Sequence, residues 1–336
     1  MKRIFLYVSF FSMIFLILSC DSSKRPEIGF LLPNLTDARY PKDRDYFVEK
    51  VNQLGGKVEI GDAQNDPYLQ EKQAQQMVKN GAVVLVICPV NQNLAASIVR
   101  FASEHRVKII AYERLIQNCN LDYFITFDNY NVGRQQANYA INKKLGNYVL
   151  MEGDKRDKNA ELIKMGQMAV INPLVESGKI KIIYNVFIED WNESNAYMEM
   201  CKVLQLSGEK IDVVLSANDG MAGGIIKALE NNQPDYPFII TGLDADLDAC
   251  RRIIKGKQSM TVYKSFKKQA RITAELAVKI AKGEPFKDAN ETIWNGMNKI
   301  QTISLQSIVV DSTNMVKTIV GDGIYSENDV KEYYLE

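Results

Sequence analysis

Lys108-Ile109-Ile110-Ala111-Tyr112, the ten residues Glu113–Asp122, then Tyr123-Phe124-Ile125-Thr126-Phe127-Asp128-Asn129: this stretch decides the architecture. Two β-type apolar runs follow one another with no helix between them. Upstream, strands Ile28–Leu32, Lys57–Gly61 and Val83–Cys88 alternate with amphipathic segments. Downstream, the alternation resumes with strands Tyr148–Met151, Lys181–Phe187, Val213–Ala217, Phe238–Gly242 and Met260–Tyr263. Helix ends are marked between them. Pro41 suits a first helical turn and Gly55-Gly56 ends that helix. Asp66 caps a helix through Met77 that Gly81 closes, and Asn192–Leu206 ends near Gly208. Alternating β and α units predict parallel sheets covered by helices on both faces. Ten or more strands exceed one comfortable open sheet, so an α/β protein of two lobes is expected. The break at Glu113–Asp122 is the natural crossover between lobes, with a second break at Gly283–Asn298.

The chain has 336 residues, with 41 basic and 41 acidic side chains. That length suggests about two domains, and zero net charge argues against a nucleic-acid partner. A single histidine, His105, excludes multi-His metal sites; it reads as a charge near a helix C-terminus. Met1-Lys2-Arg3, the apolar run 4–18 and the polar run from Asp21 have the three-part layout of an export signal. The run is shorter than the ~30 Å hydrocarbon core requires, so a cleaved signal over residues 1–19 is expected. Ile17-Leu18-Ser19-Cys20 resembles a bacterial lipobox, which implies cleavage before Cys20 and a lipid on its sulfur. Cys88, Cys119, Cys201 and Cys250 remain. Their spacing shows no disulfide framework, and buried free thiols are the default reading.

In open α/β sheets, ligands bind beyond the carboxyl ends of the strands. The residues found there are Arg39-Tyr40 after the first strand, Glu113-Arg114, Asp128-Asn129, Asn218-Asp219, Asp244 and Lys264. Isolated Asp or Asn residues after strands are usually turn formers or caps. Recurrence at the five strand ends after the first, with both charge signs, suits a cleft for an uncharged polyol. Carboxylates accept from sugar hydroxyls, while Arg, Lys and Asn donate to their lone pairs. Trp191, at a strand end before a helix, and Tyr40 are candidates to cover a sugar's C–H face; Trp294 reads as structural. No Gly-x-Ser-x-Gly, His-Glu-x-x-His, P-loop or Gly-x-Gly-x-x-Gly motif is present. The chain therefore reads as a binder and not an enzyme, with no catalytic residue, metal or cofactor.

At Lys42-Asp43-Arg44-Asp45, Phe127-Asp128-Asn129, Gly166-Gln167-Met168, Ser216-Ala217-Asn218-Asp219, Asp244-Ala245-Asp246 and Met260-Thr261-Val262-Tyr263-Lys264, the sequence resembles the periplasmic sugar-binding proteins of ABC importers. The class is that of ribose and galactose, and its xylose-binding branch is nearest. The resemblance runs from about Glu27 to about Ile324. It implies a type I fold: two Rossmann-like lobes, a three-strand hinge and a sugar held between them. The first lobe would comprise residues 27–127 and 264–290, the second 128–263 and 291–336. Carried over, Arg39 and Arg114 donate to the sugar, Tyr40 and Trp191 stack on it, and Asp128 accepts from hydroxyls. Asn218, Asp244 and Lys264 complete the ring. Glu113 stands where the family has Asp, Tyr40 where it has Trp, and Pro33-Asn34 replace an acidic pair. With the lipobox, the resemblance implies a solute-binding protein on the periplasmic or cell-surface side, lipid-anchored to a bacterial membrane. It would capture a monosaccharide, D-xylose or a related pentose, and deliver it to a permease by hinge closure. The alternative is a sensor subunit that presents its closed form to a membrane histidine kinase.

Overall fold

The computed structural model describes residues 27–36, 39–206, 208–232 and 239–331. The signal segment 1–19 and Cys20 lie outside them. In chain order, β1 (Glu27–Leu32), α1 (Tyr40–Gln53), β2 (Lys57–Asp62), α2 (Pro67–Lys79), β3 (Val84–Ile87), α3 (Ala96–Glu104), β4 (Lys108–Tyr112) and β5 (Tyr123–Phe127) begin the first lobe. The second contains α4 (Asn129–Ile141), β6 (Gly146–Glu152), α5 (Lys158–Glu176), β7 (Ile180–Phe187), α6 (Glu193–Leu206), β8 (Val213–Ser216), α7 (Asp219–Asn232), β9 (Ile239–Ile240), α8 (Leu247–Ile254) and β10 (Thr261–Tyr263). Helix α9 (Phe266–Ala281) returns to pack on α1. Strands β11 (Glu291–Trp294), β12 (Lys299–Leu305) and β13 (Ile308–Val310) and helix α10 (Glu327–Lys331) follow.

The first sheet has the order β11-β12-β5-β4-β3-β1-β2, and the second β7-β6-β8-β9; β10 and β13 form a separate pair. All pairings are parallel except the β11–β12 and β10–β13 ones. Asp66 caps α2 as its sequence position suggests, accepting from the backbone N–H groups of Tyr68 and Leu69. His105 is the C-cap of α3; its Nδ1–H donates to the Phe101 carbonyl at 2.8 Å. Cys88, Cys119 and Cys250 are buried free thiols, and Cys201 is a half-buried one.

The path between lobes departs from expectation in two ways. The Glu113–Asp122 segment does not cross, because β4 and β5 are neighbours in one sheet. The chain crosses after Phe127, again between Tyr263 and Phe266, and finally between Leu305 and Ile308. Residues 291–305, expected in the second lobe, therefore belong to the first sheet. The reason is burial on both faces of β12. Ile300 joins Phe124 in one core layer, while Ile303 and Leu305 join Ile125 and Phe127 in the other. A strand wet on one side could have ended either sheet; one buried on both needs the helices of the first lobe.

Helices α4 and α5 pack face to face through two glycines. A Cβ on Gly133 would lie 1.9 Å from the Ile163 carbonyl oxygen, and one on Gly166 would lie 1.9 Å from that of Tyr130. Backbone cannot yield as a side chain can, so Gly133→Ala forces the helices apart. We expect a loss of about 3 kcal/mol, the upper range of overpacking, read as a lower denaturant midpoint. A midpoint within error of the parent would contradict this packing.

Candidate functional site

Between the lobes lies a cavity of about 400 Å³. Its walls come from the sequence-distant ends of several strands. The first lobe supplies Arg39 and Tyr40 at the start of α1 and Glu113 and Arg114 beyond β4. The second supplies Trp191, Asn218 and Asp244, and Lys264 stands in the crossing segment. Eight of the nine expected ligand residues thus meet in one place. Asp128 does not join them. Its Oδ1 accepts from the Asn131 backbone N–H at 2.9 Å, capping α4, and the residue lines a neighbouring cavity. It is the ordinary helix cap that an Asp after a strand usually is.

Sequence reasoning missed Asp157, Asn159, Ile163, Asp190, Leu243 and Asp246, which also line the cavity. Asp157 lies five residues beyond the end of β6, as the cap of α5. Reading the loop as far as its helix cap, and not only the residue after the strand, would have found it.

Glu113 organises the floor. Its left-handed backbone (φ 63°) directs a buried side chain toward the crossing segment. Oε1 accepts from Lys264 Nζ at 3.1 Å; Oε2 accepts from Arg39 at 3.2 Å and from Gln269 Nε2 at 3.1 Å. Burial alone would raise its pKa, but Arg39 and Lys264 overcome that and hold it down at about 2. The longer side chain, compared with Asp, is thus tied to Gln269 on α9 while it lines the cavity. Arg39 also donates to Gln269 Oε1 at 2.8 Å and to Asp43 at 2.9 Å, and the Tyr112 hydroxyl donates to Asp43 at 2.7 Å. Burial pushes Asp43 up to about 6, with Arg39 and the Tyr112 bond opposing.

Contacts between lobes close over the cavity. Arg114 pairs with Asp157 at 3.8 Å, Gln92 donates to Asp157 at 3.3 Å, and Asn159 donates to the Glu113 carbonyl at 3.5 Å. The Trp191 ring lies against Gly153, where an added Cβ would come within 2.3 Å of it. The indole is therefore seated by an absent side chain. Trp191, Asp190 and Asp244 all have positive φ, at 54°, 55° and 99°. Such backbone is costly for non-glycine residues and collects at functional sites.

Three carboxylates crowd the second-lobe wall. Asp219 is fully buried and accepts from Gln258, Thr261 and the Asp246 backbone N–H at 2.7, 2.8 and 3.1 Å. Burial, then the charge of Asp244, pushes Asp246 up to about 7. An unfolded Asp titrates near about 3.9. Between those values the folded chain holds a proton that the unfolded chain releases. The group's favourable contribution is complete below about 4 and declines as pH rises through about 7. Asp246→Asn removes this decline, so we expect its gain in melting temperature to be larger at pH 8 than at pH 5. Parallel pH curves for parent and variant would contradict it.

The cavity wall can hold hydroxyls through both donors and acceptors. Each of its three cations already faces a carboxylate, and Trp191 offers an aromatic face. Among the described residues no cluster of His, Cys, Asp and Glu could hold a metal, and no helix is long and apolar enough to cross a membrane.

Known proteins resemble this chain in sequence and in fold. The family model described as "Periplasmic binding protein domain" matches residues 28–285. The D-xylose-binding periplasmic protein of Haemophilus influenzae is 38% identical over 313 residues, covering 93% of this chain and 94% of that protein. Its counterpart in Escherichia coli is 37% identical, covering 92% and 93%. A carbohydrate transporter solute-binding protein from Chloroflexus aurantiacus, solved with D-glucose, superposes with a TM-score of 0.85 at 27% identity, covering 91% of this chain and 98% of that one. With two lobes crossed three times, a cavity between them and matches along nearly the whole described chain, the protein belongs to the periplasmic binding protein family.

Proposed function

We propose that the protein captures a monosaccharide, D-xylose or a related pentose, and hands it to the permease of an ABC transporter when its lobes close. The observation that carries this reading is the composition of the cavity wall. Arg39 and Lys264 share Glu113, and Arg114 faces Asp157. A ligand bearing its own charge would compete with these pairs. A neutral polyol can instead add hydrogen bonds to them while its C–H face rests on Trp191. Bonds to charged groups contribute about 1.5–3 kcal/mol each, so three or four of them approach the ~8 kcal/mol of micromolar affinity. The xylose-binding relatives support a pentose; the glucose-bound one supports a hexose as competitor. Closure has a physical basis, since donors from both lobes reach one ligand only when the lobes meet. Cys20 would carry a lipid that holds the protein on the outer side of a bacterial membrane.

Calorimetric titration with D-xylose, L-arabinose, D-ribose and D-glucose tests the reading. Micromolar binding of at least one pentose is expected, with D-glucose weaker. No heat with any of the four would overturn it.

A further inference from the structure

The larger cavity between the lobes, about 580 Å³, has no part in the reading above. We infer that it is a second carbohydrate site, taking one pyranose ring more weakly and independently of the first. Its size lies within the ~300–1,000 Å³ typical of small-molecule sites. Four aromatic side chains line it: Phe124 and Phe127 are buried, whereas Tyr130 is 37% exposed and Trp294 61%. Trp294 was expected to be structural, yet it stands on the edge strand β11 with most of its surface uncovered. Aromatic faces this open suit a ligand with C–H groups on one side and polar groups on the other. Beside the apolar Leu115, Leu162 and Ile293 the wall carries both charge signs, with Asp128 and Glu161 against Lys155 and Arg156. An apolar ligand would have to desolvate these groups; a polyol hydrogen-bonds to them.

Asn129, at 2% exposure, also lines the cavity. Asn159 stands in both walls, and Gln92 of the larger cavity donates to Asp157 of the smaller at 3.3 Å. Asp244 and Lys264 line only the smaller one, so a ring in the larger leaves them to the first ligand.

The chain has two tryptophans, and each borders a different cavity. Trp191→Phe leaves Trp294 as the sole indole reporter, and Trp294→Phe leaves Trp191. The purified protein is titrated with D-xylose, D-glucose and xylobiose into the millimolar range. The expected result is a saturable change in Trp294 emission that persists when Asp244→Asn is added to Trp191→Phe. Trp294→Ala, at an exposed position, should abolish the weaker calorimetric event and leave the tighter one unchanged. Tighter binding of xylobiose than of xylose at this site would mean that the ring comes from an oligosaccharide; equal binding would mean a free monosaccharide. Either supports the site. A Trp294 response absent with all three sugars, or lost with Asp244→Asn, would overturn it, the latter because Trp294 would be reporting lobe closure alone. The Trp294→Phe titration reads the first cavity separately, so failure of one site is not mistaken for failure of the other.

Discussion

Lys264→Met lowers both folding stability and sugar affinity, the first by about 3 kcal/mol and the second by about 100-fold or more. The ammonium is buried in the crossing segment and bonded to Glu113, which is itself buried. Removing one partner of such a pair leaves an uncompensated charge, and the cost is about 3–5 kcal/mol. Arg39 and Gln269 still hold Glu113 in the variant, which places the expectation at the low end. The pH behaviour carries a signature. With its pKa held at about 2, Glu113 adds stability that is complete above the usual carboxylate range near 4.5 and fades as pH falls toward 2. Without Lys264 that contribution shrinks, so parent and variant should converge in acid. Chemical denaturation at pH 3 and pH 7 measures it. A variant within about 1 kcal/mol of the parent at pH 7 would mean that Arg39 alone suffices. Affinity falls in addition because the lost ammonium comes from a segment joining the lobes, where it can donate to a sugar.

Asp244→Asn separates binding from stability. The affinity for D-xylose should drop by about 30-fold, the equivalent of ~2 kcal/mol for a lost bond to a charged group. Folding should be unharmed or improved. Burial raises the pKa of Asp244 despite Lys264 and Arg39, and its charge also raises that of Asp246. Asn is nearly isosteric and is among the residues best tolerated at positive φ, so the 99° backbone at this position is not disturbed. Calorimetry reads the first effect and thermal melting the second. Equal affinity would remove Asp244 from the pocket; a lower melting temperature would mean that its charge supports the fold. The expected combination is a trade of stability for function at a binding site.

Local chemistry was legible in the residues, and assembly was less so. The cap of α2 by Asp66, the Pro at the start of α1 and ten strands could be read because neighbouring residues specify them. The strands β11, β12 and β13 were not read, since Gly283–Asn298 looks like punctuation and β12 finds its partner, β5, some 180 residues earlier. Strand-end reading assembled Arg39, Glu113, Arg114, Asn218, Asp244 and Lys264, because a parallel sheet delivers its carboxyl ends to one side. It included Asp128, which caps α4 and lines the neighbouring cavity instead, because a cap and a ligand residue look alike until the neighbouring helix is in place. It passed over Asp157 and Asn159, which stand at the cap and in the first turn of α5, past the residues directly after β6.

By itself, then, the sequence determined the alternation of strands and helices, the two-lobe division and the polar character of the strand ends, all of which follow from periodicity and from side-chain chemistry within a few residues. Tertiary structure alone decided that Glu113 is tied to Gln269 on α9, that 291–305 complete the first sheet, and that a second cavity flanked by Trp294 stands beside the first. Each of these depends on groups far apart in the chain, and burial between such groups is a property of the packed lobes that no local pattern carries.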